Sequence, residues 1–251
     1  MPFTQSAFTL RCEWGAQGVA QLAPMSDVVI IVDVLSFSTC VEIATSREAV
    51  VFPYRWRDET AANFAASVGA ELADSQRGDA GYSLSPQSLM NIPKGTRLVL
   101  PSPNGSTLSL GTGATPTLAG CLRNYRAVAR AAQNFGPRIA LIPAGERWPD
   151  GTLRPAFEDW VCAGAILGEL TGSLSPEARA AVAAFRDAEA EIESLVRQCG
   201  SGQELIERGF EANVALASAL NVSDCAPILV KGAYVRAAIA PRETDDRRKT
   251  R

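Results

Sequence analysis

A chain of 251 residues can bury one large core, and 47% apolar with 20% charged residues is an ordinary globular composition. A formal charge of −3 argues against a general binder of nucleic acid or membrane surfaces, and no uninterrupted apolar run of about 18 residues exists to span a bilayer. Histidine is absent, which removes Ser-His-Asp and Cys-His catalysis, histidine-ligated zinc and phosphohistidine chemistry together.

Catalysis would therefore rest on carboxylates, Lys or Arg, hydroxyls, thiols, or a hard cation held by oxygen. The six cysteines, Cys12, Cys40, Cys121, Cys162, Cys199 and Cys225, form no Cys-x-x-Cys pair. The stretch Met1 to Arg11 lacks the basic-then-apolar layout of a signal peptide, so a cytoplasmic protein with mostly inert thiols is expected.

In chain order, the first strong element is Val28–Val32, an apolar run that predicts a buried parallel strand. Asp33 follows at its carboxyl end, where open α/β sheets form their ligand crevice. Ser36, Ser38 and Thr39 come next, where a helix should begin, so hydroxyls and free amides there suit an anion. Two readings of Asp33 stay open, a turn-and-helix cap or a catalytic or metal-binding carboxylate.

Further strands are predicted at Val50–Phe52, Arg97–Leu100, Arg138–Ile142 and Ile228–Val230. Helices are predicted over Thr60–Val68 and from Asn124, as N-cap, to Phe135, stopped by Gly136-Pro137. From Pro155 the chain turns helical. Phe157, Trp160, Val161, Gly164, Leu167 and Leu170 mark one apolar stripe. Ser175-Pro176 opens a long helix carrying Val182, Phe185, Ile192, Leu195 and Val196, closed by Gly200, and another helix runs roughly Ala212–Leu220. Together these predict an α/β fold in three layers, a largely parallel sheet flanked by helices with a helix-rich C-terminal part. The economical division is one α/β domain over residues 1–241, helix-rich from about 155, and a charged tail over 242–251. That tail holds five basic and three acidic side chains, a net of +2 that leaves −5 elsewhere.

Three further segments carry polar residues at predicted element ends. In Ala73–Asp79, Arg77 either clamps an anion or pairs with a surface carboxylate, and Asp79 reads as a surface residue. In Val99–Thr107, Asn104, Gly105 and Ser106 open a helix and could offer amides and a hydroxyl to a phosphate, although Asn-Gly is also a common turn. In Phe157-Glu158-Asp159-Trp160, the paired carboxylates either complement the helix dipole or hold Mg²⁺, which takes one or two carboxylates plus waters and a phosphate.

Asp-Val-Leu-x-x-Ser-Thr after the first strand, Arg-Gly in a middle loop, Asn-Gly-Ser after a later strand and Phe157-Glu158-Asp159-Trp160-Val161-Cys162-Ala163-Gly164-Ala165-Ile166 occur in this order. The series resembles the 2-phosphosulfolactate phosphatase family from roughly Val28 to Pro227. Ala144-Gly145 with the Phe157–Ile166 stretch is the most specific part, and agreement continues through Leu205–Phe210 and Asp224–Pro227. The resemblance implies an α/β fold and a Mg²⁺-dependent phosphatase whose reaction lies on the route to coenzyme M. It implies Asp33 and Asn104 as catalytic residues, with Asp33 a metal ligand, base or nucleophile. It further implies Ser36, Ser38, Thr39, Arg77, Gly105 and Ser106 against a small phosphorylated acid, and Glu158 and Asp159 on the metal. A homodimer is one assembly it allows. The family pattern has arginine where Ser36 and Thr107 stand, glutamate where Gln76 stands, and Ser-x-His-Gly where Cys199-Gly200-Ser201-Gly202 stands. Those departures leave a second reading, a catalytically weakened relative that binds an anionic metabolite or a protein partner.

Overall fold

A computed structural model describes residues 2–56, 58–77 and 81–237. Asp79 and the tail over 242–251 lie outside the described residues. The first half contains β1 (Leu10–Cys12), α1 (Gly15–Leu22), β2 (Val28–Val32), α2 (Phe37–Ser46), β3 (Val50–Tyr54), α3 (Glu59–Ser67), β4 (Glu71–Leu72), β5 (Arg97–Pro101) and α4 (Gly105–Gly111). It continues with β6 (Thr117–Gly120), α5 (Tyr125–Ala132), β7 (Ile139–Pro143), β8 (Glu146–Arg147) and β9 (Leu153–Arg154). The helical stretch is α6 (Phe157–Gly168), α7 (Pro176–Ala188), α8 (Ile192–Gln198), α9 (Gly200–Glu207) and α10 (Glu211–Ser218), and the hairpin β10 (Pro227–Val230) and β11 (Ala233–Arg236) follows.

Among the described residues the main sheet has nine strands in the order β1-β7-β2-β6-β10-β11-β3-β5-β4. β1, β7, β2 and β6 run parallel to one another, as do β3, β5 and β4. The β10–β11 hairpin joins the two sets through antiparallel pairings at single positions, Ile228↔Leu118 and Tyr234↔Val51. The run Val28–Val32 is buried on both faces because helices cover both. Val29 and Ile31 pack with Val19 and Leu22 of α1 and Leu108 of α4. Val28, Ile30 and Val32 pack with Val128 of α5 and Val161 and Ile166 of α6. The sheet is thus a middle layer, as the alternation of apolar runs predicted.

Several local expectations are corrected. The helix predicted to run from Pro176 to Gly200 breaks after Ala188, passes a 3-10 turn at Glu189–Glu191 and resumes as α8, while Gly200 opens α9 instead of ending a helix. No buried apolar side chain lies between Ala188 and Ile192 to hold a continuous face. Asn124 occupies the N-cap position of α5 without capping it. Its side chain accepts from Cys121 N at 2.9 Å and donates to the carbonyls of Ala119 and Cys225. Phe135 lies beyond the end of α5, and it and Phe157 are exposed, so neither belongs to the buried stripe expected for it. The strands β1, β6 and β11 were not anticipated, being short and poor in β-branched residues.

Candidate active site

The loops that follow β2 and β5 meet at Asp33. Its Oδ1 accepts from Phe37 N at 3.1 Å and its Oδ2 from Gly105 N at 2.8 Å, while its own N–H donates to Ser38 Oγ at 3.0 Å. A Cβ at position 105 would run into the Phe37 ring and the Asp33 carboxylate, so the Asn-Gly pair here serves close approach of backbone to carboxylate. Asp33 therefore forms part of the floor of a cavity of about 610 Å³, walled further by Ser36, Arg77, Ser102, Asn104 and Glu146 and by Arg208 and Phe210.

Glu146 begins the small β8–β9 hairpin directly after β7, and its Oε2 accepts from Asn104 Nδ2 at 2.9 Å. Beside the cavity, both oxygens of Asp159 are held by backbone amides, Oδ1 by Val34 N at 2.8 Å and Oδ2 by Gly145 N at 2.9 Å. Asp159 thereby braces the loop after β2 against the loop after β7. Its neighbour Glu158 is buried and receives the Cys199 thiol on Oε2 at 3.3 Å. Burial and the Glu158 charge push that thiol up to about 12, so it stays protonated and able to donate.

Cations face these carboxylates. Arg77 Nη1 donates to Ser36 Oγ at 3.1 Å, and the Arg77 and Arg208 guanidinium carbons each lie 5.8 Å from the centroid of the Phe210 ring. Arg154 donates to Ser201 Oγ at 3.2 Å. Burial pushes Asp33 up to about 6, with Glu158 adding to the rise and the two backbone bonds and Arg77 opposing it. Glu146 is pushed up to about 7, by burial first and then by Asp33 and Glu158, against Asn104 and Arg154. Asp159 is also raised, by burial and then by Glu158 and Asp33. Carboxylates raised by burial and by one another beside a cleft mark a candidate functional site.

The structure brings together Asp33, Ser36, Arg77 and Asn104 on the cavity wall. Ser38, Thr39 and Ser106 are fully buried and bonded to the carbonyls of Ile31, Val34 and Leu100, which makes them supports of the loops and not contacts for an anion. The Gly105 amide, expected to face a phosphate, is committed to Asp33. Sequence reasoning missed Glu146, Arg208 and Phe210. Glu146 carried the same signal as Asp33, a carboxylate just beyond a buried strand, but the short hairpin concealed it.

Among the described residues, no three carboxylates or thiols converge as a ready metal cage. A hard cation takes one or two carboxylates and fills its remaining positions with water and phosphate, and the carboxylates available to one would be Asp33 on the cavity wall and the buried Glu158, next in the chain to Asp159.

An α/β scaffold with carboxylates at strand ends, facing guanidinium groups across a polar cavity, defines a protein built to hold and act on a small anion. The description 2-phosphosulpholactate phosphatase matches residues 17–232, and the chain belongs to that family. It is 29% identical over 213 residues to the 2-phosphosulfolactate phosphatase of Methanothermobacter thermautotrophicus, covering 82% of this chain and 88% of that protein. It is 25% identical over 217 residues to a protein of Pseudothermotoga lettingae named probable 2-phosphosulfolactate phosphatase, covering 84% of this chain and 93% of the relative. Among the described residues no helix is long and apolar enough to cross a membrane.

Proposed function

We propose that this chain is a phosphoric monoester hydrolase acting on a small phosphorylated acid, as its relatives' names describe, and that its turnover depends on Mg²⁺. The observation that carries the reading is the Asp33 carboxylate, fixed by two backbone amides on the floor of a cavity that also holds Glu146, Arg77 and Arg208. Asp33 and Glu158 would hold the cation, with Asp159 bracing the loops that carry them. Bound Mg²⁺ would neutralise charge on the phosphoryl oxygens, which is most of what phosphoryl transfer asks of an enzyme.

The chain's own residues supply the rest. Arg77 and Arg208 attract and orient the anionic substrate, and Ser36 keeps Arg77 directed at the cavity. That contact supports retained binding power although Ser36 is not itself a cation. Glu146, protonated near neutrality and held by Asn104, gives a proton to the leaving ester oxygen. The thiols among the described residues are all free, which supports a reducing compartment such as the cytoplasm.

Phosphate release over a panel of phosphorylated hydroxy acids, with and without Mg²⁺, tests the reading, paired with thermal melting. Turnover that requires Mg²⁺, together with a melting temperature raised by Mg²⁺ more at pH 8 than at pH 5.5, is expected, because the carboxylates carry more charge at the higher pH. A chain that melts identically with and without Mg²⁺ and releases no phosphate would leave the binding-protein reading in its place.

A further inference from the structure

One wall of the polar cavity is the corner between α9 and α10. α9 ends at Arg208 in a Schellman arrangement, with Gly209 in the left-handed region at φ +83. Gly209 N donates to Ile206 O at 2.9 Å and Phe210 N to Leu205 O at 2.8 Å, so backbone hydrogen bonds fix where the Phe210 ring leaves the chain. The corner is pinned from its other side as well. Phe210 O accepts from Asn213 N at 3.0 Å, and the buried Asn213 side chain accepts from Ser85 Oγ at 2.8 Å and Gln87 N at 2.9 Å. Against this ring stand two guanidinium groups from distant parts of the chain, Arg77 and Arg208, each 5.8 Å from its centroid. Like charges repel, but an electron-rich ring attracts a guanidinium within about 6 Å of its centre. The two cations differ in setting. Arg77 is half-buried and donates to Ser36, on the loop that carries Asp33. Arg208 is 56% exposed at the mouth of the cavity and pairs with the exposed Glu204 at 3.1 Å.

We infer that Phe210 is a positioning residue that holds Arg77 and Arg208 at a set separation, so that the cavity selects a phosphorylated acid by the reach between its phosphoryl and acid groups. The inference rests on the phosphatase reading and names what decides its specificity. The surroundings assign the two ends. Arg77, tied to the Asp33 loop, takes the phosphoryl group beside the carboxylate that the reaction uses. Arg208 takes the acid group, exchanging its contact with Glu204 for one with the substrate, and an exposed ion pair costs little to break. An ester without an acid group leaves Arg208 on Glu204 and gains the phosphoryl contacts alone. An acid group too near to phosphorus, or too far from it, does not meet both cations while the ring holds them, and productive geometry tolerates little misplacement.

The test uses 2-phosphoglycolate and its homologues one and two methylenes longer, with ethyl phosphate as the ester that lacks an acid group. In the wild type kcat/KM should peak at one chain length, and the best acid should exceed ethyl phosphate by about tenfold or more. Phe210→Leu and Phe210→Met keep bulk and remove the ring, so that either one folding suffices. Phe210→Tyr keeps the ring, and Arg208→Gln alters an exposed side chain. The ratio of kcat/KM for the best acid over that for ethyl phosphate should fall about tenfold without the ring and in Arg208→Gln, carried by KM, and the length peak should flatten. Phe210→Tyr should retain both the ratio and the peak. A flat length profile in the wild type overturns the inference. So does a ratio unchanged by loss of the ring or by Arg208→Gln, or a Phe210→Tyr that behaves as Phe210→Leu. If the wild type hydrolyses none of these esters, the phosphatase reading fails and calorimetric titration with the same compounds decides. Binding that prefers one acid, loses the preference without the ring and keeps it in Phe210→Tyr supports the inference. Equal binding of the acids and ethyl phosphate, or a preference indifferent to the ring, overturns it.

Discussion

At the scale of single residues, Asp33 combines two duties that substitution can separate. Asp33→Asn removes the charge, and it also turns an amide NH₂ toward one of the two N–H groups that the carboxylate now accepts from. Turnover should fall about 100-fold or more. Melting should show a loss of about 1–3 kcal/mol, the cost of an unpaired buried donor. A variant with wild-type turnover and only the stability loss would make Asp33 a structural acceptor. Glu146 gives a pH signature. Its folded value near 7 lies above the ordinary glutamate value, so its proton is held more tightly in the folded state. The stabilisation is fully present below the unfolded value and is lost as the pH rises through about 7. Asp33, near 6, acts in the same direction. The melting temperature should thus fall between pH 5 and 8, less steeply in Glu146→Gln. Turnover should fall above about pH 7 in the wild type, and that alkaline limb should vanish with the residual rate of Glu146→Gln. Asp33 was legible because five apolar residues end at it. Ser38, Thr39 and Ser106 were misleading for a physical reason: a hydroxyl after a strand serves equally to bond a nearby carbonyl, and sequence does not reveal which partner is closer.

At the scale of elements, the wall that carries Arg208 and Phe210 depends on the corner between α8 and α9. Cys199 breaks the helical path with extended backbone, and Gly202 then passes so close to the preceding helix that a Cβ would strike the Val196 carbonyl oxygen. Gly202→Ala should therefore cost about 1–3 kcal/mol through overpacking. It should also raise KM more than it lowers kcat, since the displaced wall holds Arg208, proposed to orient the substrate, and not the floor. Equal stability and kinetics in calorimetry and steady-state assays would sink that view of the corner. The sequence shows why this bend was missed. Gly200 reads as a helix stop by composition, yet the requirement for glycine lies two residues later and comes from packing between helices. By contrast Ser175-Pro176 was legible outright, since the Ser175 hydroxyl accepts from Ala178 N at 3.1 Å in the local geometry that the dipeptide predicts.

At the scale of the whole molecule, the three-layer α/β plan follows from apolar runs too continuous to leave either face of a strand in water, and it was readable from β2, β5 and β7 alone. What the runs did not encode is which strands lie side by side. Ile228–Val230 reads as a strand, but nothing in three residues says that it pairs antiparallel with β6 and, through β11, links two parallel sets. That seam has a consequence for synthesis. Every residue assigned to the site has left the ribosome by Phe210, whereas the hairpin that closes the sheet begins at Pro227. A nascent chain at that stage carries all of its chemistry and lacks the clasp between the two halves whose loops meet at Asp33. Hydrolysis is thus expected to rise only when residues 227–236 are added, and a chain ending before Pro227 should turn over far more slowly than the full one although it displays the same site side chains.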